Sequence, residues 1–151
     1  MTEEPRQTNE SGQIAALEGW HTLDHKQPAL LGTRCTSCST YYFPKMSTFC
    51  RNPDCQSEEF EEVELSREGT IWSYTNANYQ PPEPYVSPKP FEPFAIIGVH
   101  LEKEQMVVLG QAIDGVTVDD LKVGMDAELA LETLYTDDEG EKIVWRWKPK
   151  A

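Results

Sequence analysis

Four cysteines fall within 21 residues as Cys35-Thr-Ser-Cys38 and Cys50-Arg-Asn-Pro-Asp-Cys55, two short-spaced pairs separated by eleven residues. The chain has no others. Each pair can present two sulfurs from one tight turn, and Ser39 to Phe49 is long enough to fold back as a hairpin and bring the pairs face to face around a tetrahedral ion. The spacing is therefore read as a structural zinc ribbon with Cys35, Cys38, Cys50 and Cys55 as ligands. A cluster of this size buries too little apolar surface to hold itself folded, so the metal must contribute roughly 10–16 kcal/mol of apparent binding energy. Two disulfides, four unlinked thiols and an iron site compete with this reading. Disulfides suit secreted chains; iron accepts the same four thiolates, so the ligand set alone does not separate it from zinc.

The elements that position this cluster must come from 151 residues, 38% of them hydrophobic, enough for one modest core. Acidic residues number 26 against 13 Lys and Arg, a net charge of −13. That balance opposes binding to a polyanion, which requires cations to displace counterions. The N-terminus has neither the basic nor the apolar region of a signal peptide, and the longest apolar run, Phe94 to Val99, is far too short to span a bilayer. The expectation is a cytoplasmic protein with reduced thiols and no membrane partner.

Residues 1–12 are polar and read as a disordered tail. Ile14, Leu17, Trp20 and Leu23 recur every three residues, so 13–28 reads as a short amphipathic helix ending at Pro28. Its apolar face would pack on the chain's own body or on a partner protein. Residues 29–60 form the ribbon, with Thr40 to Phe43 as a short strand before Pro44 and dense aromatics available to pack over the metal. Arg34, Lys45 and Arg51 flank the knuckles, either to contact an anion or to balance the thiolates. The stretch Ser57 to Glu68 is strongly acidic, with Val63 and Leu65 alternating against glutamates, and reads as a connector strand.

From 61 to 151 the pattern is a second module opening at Gly69. Strands are expected at Thr70–Tyr79, Phe94–Leu101, Gln105–Ile113, Met125–Tyr135 and around Ile143, Trp145 and Trp147, with one helical turn capped by Thr117 between the third and fourth. Five strands with a short helix there is the order of an OB-fold barrel. The fold class is mainly β: N-terminal helix, zinc ribbon, then a five-stranded barrel. The loop 80–93 holds six of the eleven prolines together with Tyr85 and Phe91. It reads as a preorganised arm for a partner, a lid, or a solvated excursion.

Nothing in the pattern supplies a catalytic residue. No phosphate loop or nucleophile elbow occurs, His21, His25 and His100 are scattered, and every thiol is committed to metal.

The run Gly32-x-Arg34-Cys35-x-x-Cys38, Tyr42-Phe-Pro44, Cys50 and Cys55, then Gly69-x-Ile71-x-Ser73-Tyr-Thr75 and Leu121-x-Val-Gly-Met125, resembles the DUF35 family of OB-fold proteins with a rubredoxin-like zinc ribbon. The resemblance covers roughly residues 13 to 148. The second knuckle departs from it, with four intervening residues where the family commonly has two. The resemblance implies an accessory subunit of a thiolase-fold enzyme acting on acyl-CoA, the partner bringing the nucleophilic cysteine. It implies structural Zn2+ in this chain and a coenzyme A thioester as ligand of the complex. Arg34, Lys45 and Arg51 then become candidate contacts to a phosphate or carboxylate. Leu17, Trp20, Tyr85 and Phe91 become candidate partner-interface residues. Two rival readings remain: a stand-alone acyl-CoA-binding protein, and a single-stranded nucleic-acid binder stacking bases on Trp72, Tyr74 and Trp145.

Overall fold

The computed structural model describes residue 9, residues 12–80, residue 82 and residues 92–150. In chain order its strands are β1 (Ile14–Ala15), β2 (Leu31–Cys35), β3 (Tyr41–Tyr42), β4 (Phe60–Glu64), β5 (Glu68–Ala77), β6 (Phe94–Leu101), β7 (Met106–Ala112), β8 (Asp126–Asp137) and β9 (Gly140–Pro149). Alternating apolar residues in the last five drive barrel closure. β5 pairs antiparallel with β6 and β6 with β7; β7 runs parallel to β9, β9 antiparallel to β8, and β8 returns to β5. The circuit is closed, with the order expected of an OB-fold. A 3-10 turn at Val118–Asp120 separates β7 from β8, and the Thr117 amide donates to Asp120 Oδ2 at 2.9 Å.

Ile71, Ile97, Val99, Leu101, Ala127 and Trp147 fill the barrel interior and are all buried. Room for the largest of them is made by Gly110. A Cβ there would lie 2.8 Å from Trp147 Cδ1 and 3.0 Å from Trp145 Nε1. Glycine is thus the residue that lets both tryptophans approach β7.

The expected N-terminal helix does not form. Ile14 and Ala15 instead add β1 to the barrel in parallel with β9, opposite Lys142 and Ile143, and the Ala16 amide donates to the Ile143 carbonyl at 2.8 Å. Gly19 then turns the chain at φ +79°, a left-handed conformation that a helix interior excludes. The segment folds back on itself, with the Thr22 amide on the Ala29 carbonyl and the Leu31 amide on the Trp20 carbonyl. A helix of about a dozen residues is marginal in water by itself, and the edge of β9 offers the same amides and carbonyls stable partners. His21 and His25, which a helix would put on one face, are separated: His21 is buried, and exposed His25 bonds Gln13 through Nε2 at 2.8 Å.

β2 is the centre of a second, three-stranded sheet in the order β3-β2-β4. The acidic stretch is therefore more than a connector. β4 lies antiparallel to β2 with Thr33 opposite Glu62 and Arg34 opposite Glu61. Leu30 and Leu65, at the edges of this sheet, belong to the same buried cluster as the barrel interior.

Candidate metal centre

Cys35 ends β2 and Cys38 follows in a tight turn. The Ser39 amide donates to the Cys35 carbonyl at 2.9 Å, and the Cys35 amide returns to the Thr40 carbonyl at 2.9 Å. Ser39 takes φ +68° to complete the turn. On the other side, the Cys50 amide bonds the Ser57 carbonyl at 2.7 Å. The two extra residues of the second knuckle are absorbed by Asn52: its carbonyl accepts from the amides of Cys55 and Gln56, and its side-chain oxygen accepts from the Asp54 amide at 3.1 Å. The longer spacing thus makes an Asx turn and still delivers Cys55 to the cluster.

All four Sγ atoms lie within 4.8 Å of one another. Cys35 and Cys55 are 3.7 Å apart, and Cys38 and Cys50 are 3.5 Å apart. Four sulfurs at about 2.3 Å from a central ion would be separated by about 3.8 Å, whereas a disulfide requires about 2.05 Å. The geometry is that of a closed four-sulfur site. Cys35 and Cys50 are fully buried.

Two hydroxyls support the sulfurs. Thr40 Oγ1 lies 3.1 Å from Cys38 Sγ, and Tyr42 Oη lies 3.2 Å from Cys50 Sγ while accepting the Arg51 amide at 2.8 Å. Against a thiolate, each hydroxyl donates. The Phe60 ring stands edge-on to Tyr42 at 6.0 Å and fixes its orientation. The Thr40 hydroxyl, followed by its backbone amide, holds the Cys38 thiol down to about 6. At Cys55 the Ser57 amide pulls downward, but burial and the neighbouring Cys38 and Cys35 sulfurs override it and push the thiol up to about 12. Four packed thiols cannot all ionise without a cation among them. A divalent ion displaces the remaining protons, and four sulfur ligands leave it no open position, which makes the role structural.

Arg34 and Lys45 are engaged within the ribbon sheet. Arg34 Nη1 meets Glu61 Oε1 at 2.7 Å and Nη2 meets Ser39 Oγ at 2.6 Å; Lys45 Nζ lies 3.0 Å from Glu62 Oε2. Arg51 is exposed, and its guanidinium has no ion pair among the described residues. Leu17 is exposed. Trp20 stacks on Trp145 at 5.9 Å with planes 13° apart, and Phe43 stands edge-on to both. Tyr85 and Phe91 lie outside the described residues, as does most of the Pro-rich loop.

Of the three aromatics considered for base stacking, Trp72 is 64% exposed, while Tyr74 and Trp145 pack against the core. Thr40 and Tyr42 went unassigned in the sequence as sulfur donors. Their signal is position: a hydroxyl two residues beyond Cys38, and a tyrosine two residues beyond that.

Comparison with known proteins places this geometry among relatives. Residues 26–61 match the family described as the ChsH2 rubredoxin-like zinc ribbon domain, and residues 62–132 match the ChsH2 C-terminal OB-fold domain. A DUF35 domain-containing scaffold protein of Methanocaldococcus jannaschii is 33% identical over 138 residues, covering 89% of both chains. The benzoylsuccinyl-CoA thiolase subunit BbsA of Thauera aromatica is 45% identical over 53 residues, 35% of each chain. Among solved structures, a chain of the Ltp2-ChsH2(DUF35) aldolase is similar at TM-score 0.57 and 26% identity, with 80% of this chain and 84% of that one covered.

Proposed function

The chain belongs to the DUF35 family, which joins a zinc ribbon to an OB-fold, and we propose that it is a non-catalytic accessory subunit of a thiolase-type enzyme acting on an acyl-CoA. The observation that carries this reading is the convergence of every cysteine on one closed site. Making or breaking a carbon–carbon bond beside a thioester in the thiolase manner needs a nucleophilic sulfur, and this chain commits all of its own to metal. The nucleophile then comes from the partner. The similar proteins, a scaffold protein, a thiolase subunit and an aldolase complex, support the same assignment.

Within it, Cys35, Cys38, Cys50 and Cys55 hold Zn2+, which supplies folding energy to the ribbon. Arg51 is the first candidate for contact with a phosphate or carboxylate of the CoA thioester, because Arg34 and Lys45 are engaged by Glu61 and Glu62. Leu17, Tyr85 and Phe91 are candidate partner contacts. The acyl-CoA put first is benzoylsuccinyl-CoA, an intermediate of toluene degradation, on the strength of the shared stretch with BbsA, and the compartment put first is the cytoplasm.

One observation favours a second reading as a stand-alone acyl-CoA-binding protein. An open groove of about 1200 Å³ runs between residues 22–29 and β8, with Lys26, Arg67, Lys103 and Lys148 on its walls. These cations suit an anionic ligand, although Asp24, Glu64, Glu68 and Glu128 line the same groove. Calorimetry of the isolated chain with a CoA thioester separates the two readings: tight binding without partner supports the second. Nucleic acid is disfavoured by the net charge of −13.

The deciding experiment is an untagged pull-down from native extract, with bound proteins identified by mass and metal measured on the same sample. A thiolase-type partner with one zinc per chain is expected. A zinc-loaded chain that recovers no such partner sinks the accessory-subunit reading, as does a partner that keeps full turnover after this chain is removed.

A further inference from the structure

We propose that the outward face of β5, β6 and β7, centred on Gly98, is the surface on which the thiolase-type catalytic subunit docks. This rests on the accessory-subunit reading above and adds the place of contact.

Trp72 is the extra residue of a β-bulge: Ile71 pairs with Val99 and Ser73 with Gly98, leaving Trp72 unpaired between them. A bulge re-aims its side chain. Ile71 stays buried, whereas Trp72 is 64% exposed. On the far side of β6, Leu109 is directly opposite Gly98. A Cβ on Gly98 would lie 3.1 Å from Val107 Cγ1 and 3.2 Å from Leu109 Cδ2, so these side chains lean across the glycine toward β5. Leu109 is 64% and Val107 38% exposed. The result is a flat apolar surface with a tryptophan at one side and a leucine at the other.

Charge selects the occupant. The outward positions at this level, Trp72, Ser73, Ile96, Gly98, Val107 and Leu109, carry none, with His100 opposite Val107 the one titratable neighbour on β6, in a chain where 39 of 151 residues are charged, 26 acidic and 13 basic. Nucleic acid or an anionic lipid surface would need cations here, and a basic partner would need carboxylates. An uncharged centre built from Trp and aliphatic side chains matches the core of a protein interface. The OB-fold also uses this side of its sheet for ligands.

The test uses the full-length zinc-loaded chain and the thiolase-type subunit that co-purifies with it, with affinity read by calorimetry. Trp72→Ser and Leu109→Ser are compared with Phe49→Ser, an aromatic 54% exposed on the ribbon. Zinc content and melting temperature verify that each variant is folded. Trp72→Ser combined with Leu109→Ser is expected to weaken binding about a hundredfold or more, with Phe49→Ser unchanged. Folded face variants that bind within about threefold of wild type overturn the docking face and leave the accessory-subunit reading intact. Loss in Phe49→Ser alone transfers the interface to the ribbon and likewise overturns it. A wild-type chain that binds no thiolase-type subunit sinks the underlying reading and this one with it. A wild-type dimer made monomeric by Trp72→Ser, with partner affinity unaltered, overturns it in favour of a contact between two copies.

Discussion

Trp20 and Trp145 stack with ring centroids 5.9 Å apart and planes inclined by 13°. One precedes the ribbon and the other lies on the last barrel strand, and Phe43 of the ribbon meets both edge-on at 5.5 and 5.7 Å. The ribbon, the N-terminal segment and the barrel are locked together at this cluster. It fixes where the metal site stands relative to the sheet face that carries Trp72.

Removing the shared ring should loosen that lock. Trp145→Ala gives up its ring contacts with Trp20, Phe43 and His21 and the bond from its indole nitrogen to the Leu109 carbonyl. A loss of about 2–4 kcal/mol is expected from urea unfolding. Trp145→Phe keeps the packing and should lose less than half as much. Equal losses from both variants would show that the stack contributes nothing beyond the indole hydrogen bond.

The hydroxyls at the sulfurs give a metal-specific prediction. Tyr42→Phe and Thr40→Val each remove one donor to a thiolate and leave the four ligands in place. Zinc affinity, measured by competition with a chromophoric chelator, should fall about 10–100-fold, as for other groups that support metal ligands. Chelating the metal from wild type should unfold the ribbon. A ribbon that keeps its near-ultraviolet dichroism without metal would refute a structural role for the ion.

His21 should make stability fall in acid. The ring is buried, donates from Nδ1 to the Thr22 carbonyl 2.7 Å away, and packs on Trp145 at 6.0 Å. Burial holds its pKa below the ordinary 6.5. Between that folded value and 6.5 the unfolded chain binds more protons, so stability present above about 6.5 is lost as the pH falls toward the folded value. A series of urea midpoints from pH 7.5 downward should show the decline, and His21→Gln should flatten it. An identical slope in the variant would assign the acid sensitivity to other groups.

The cations of the ribbon divide into structural and free. Arg34→Ala breaks the ion pair to Glu61 that spans β2 and β4, while Arg51→Ala removes no ion pair among the described residues. In the purified complex, Arg51→Ala is expected to raise the KM for the CoA thioester several-fold at unchanged zinc content, and Arg34→Ala to leave it near wild type. The reverse pattern would move the anion contact to Arg34.

The metal ligands and the five barrel strands were readable in the chain because their signals are local: paired cysteines at chelate spacing, and apolar residues alternating with a period of two. Phe94–Leu101 forms β6 with both ends where the pattern puts them. The segment from Ile14 to Leu23 misleads for the opposite reason. Its three-residue apolar period suits a helix, yet β9 is more than a hundred residues away in sequence, and the pattern carries no trace of the edge it offers. In the acidic run the alternation showed a strand but not its place beside β2, since glutamates that look solvated in sequence pair with Arg34 and Lys45 across the sheet.

By itself the sequence determined that a four-sulfur site exists and that a small barrel follows it, because chelate spacing and strand alternation are properties of neighbouring residues. Only the tertiary structure decided that Trp20 turns inward onto Trp145 and that a bulge turns Trp72 outward. Each depends on which strands meet across the fold, and pairing between distant segments is decided by packing, which no local pattern encodes.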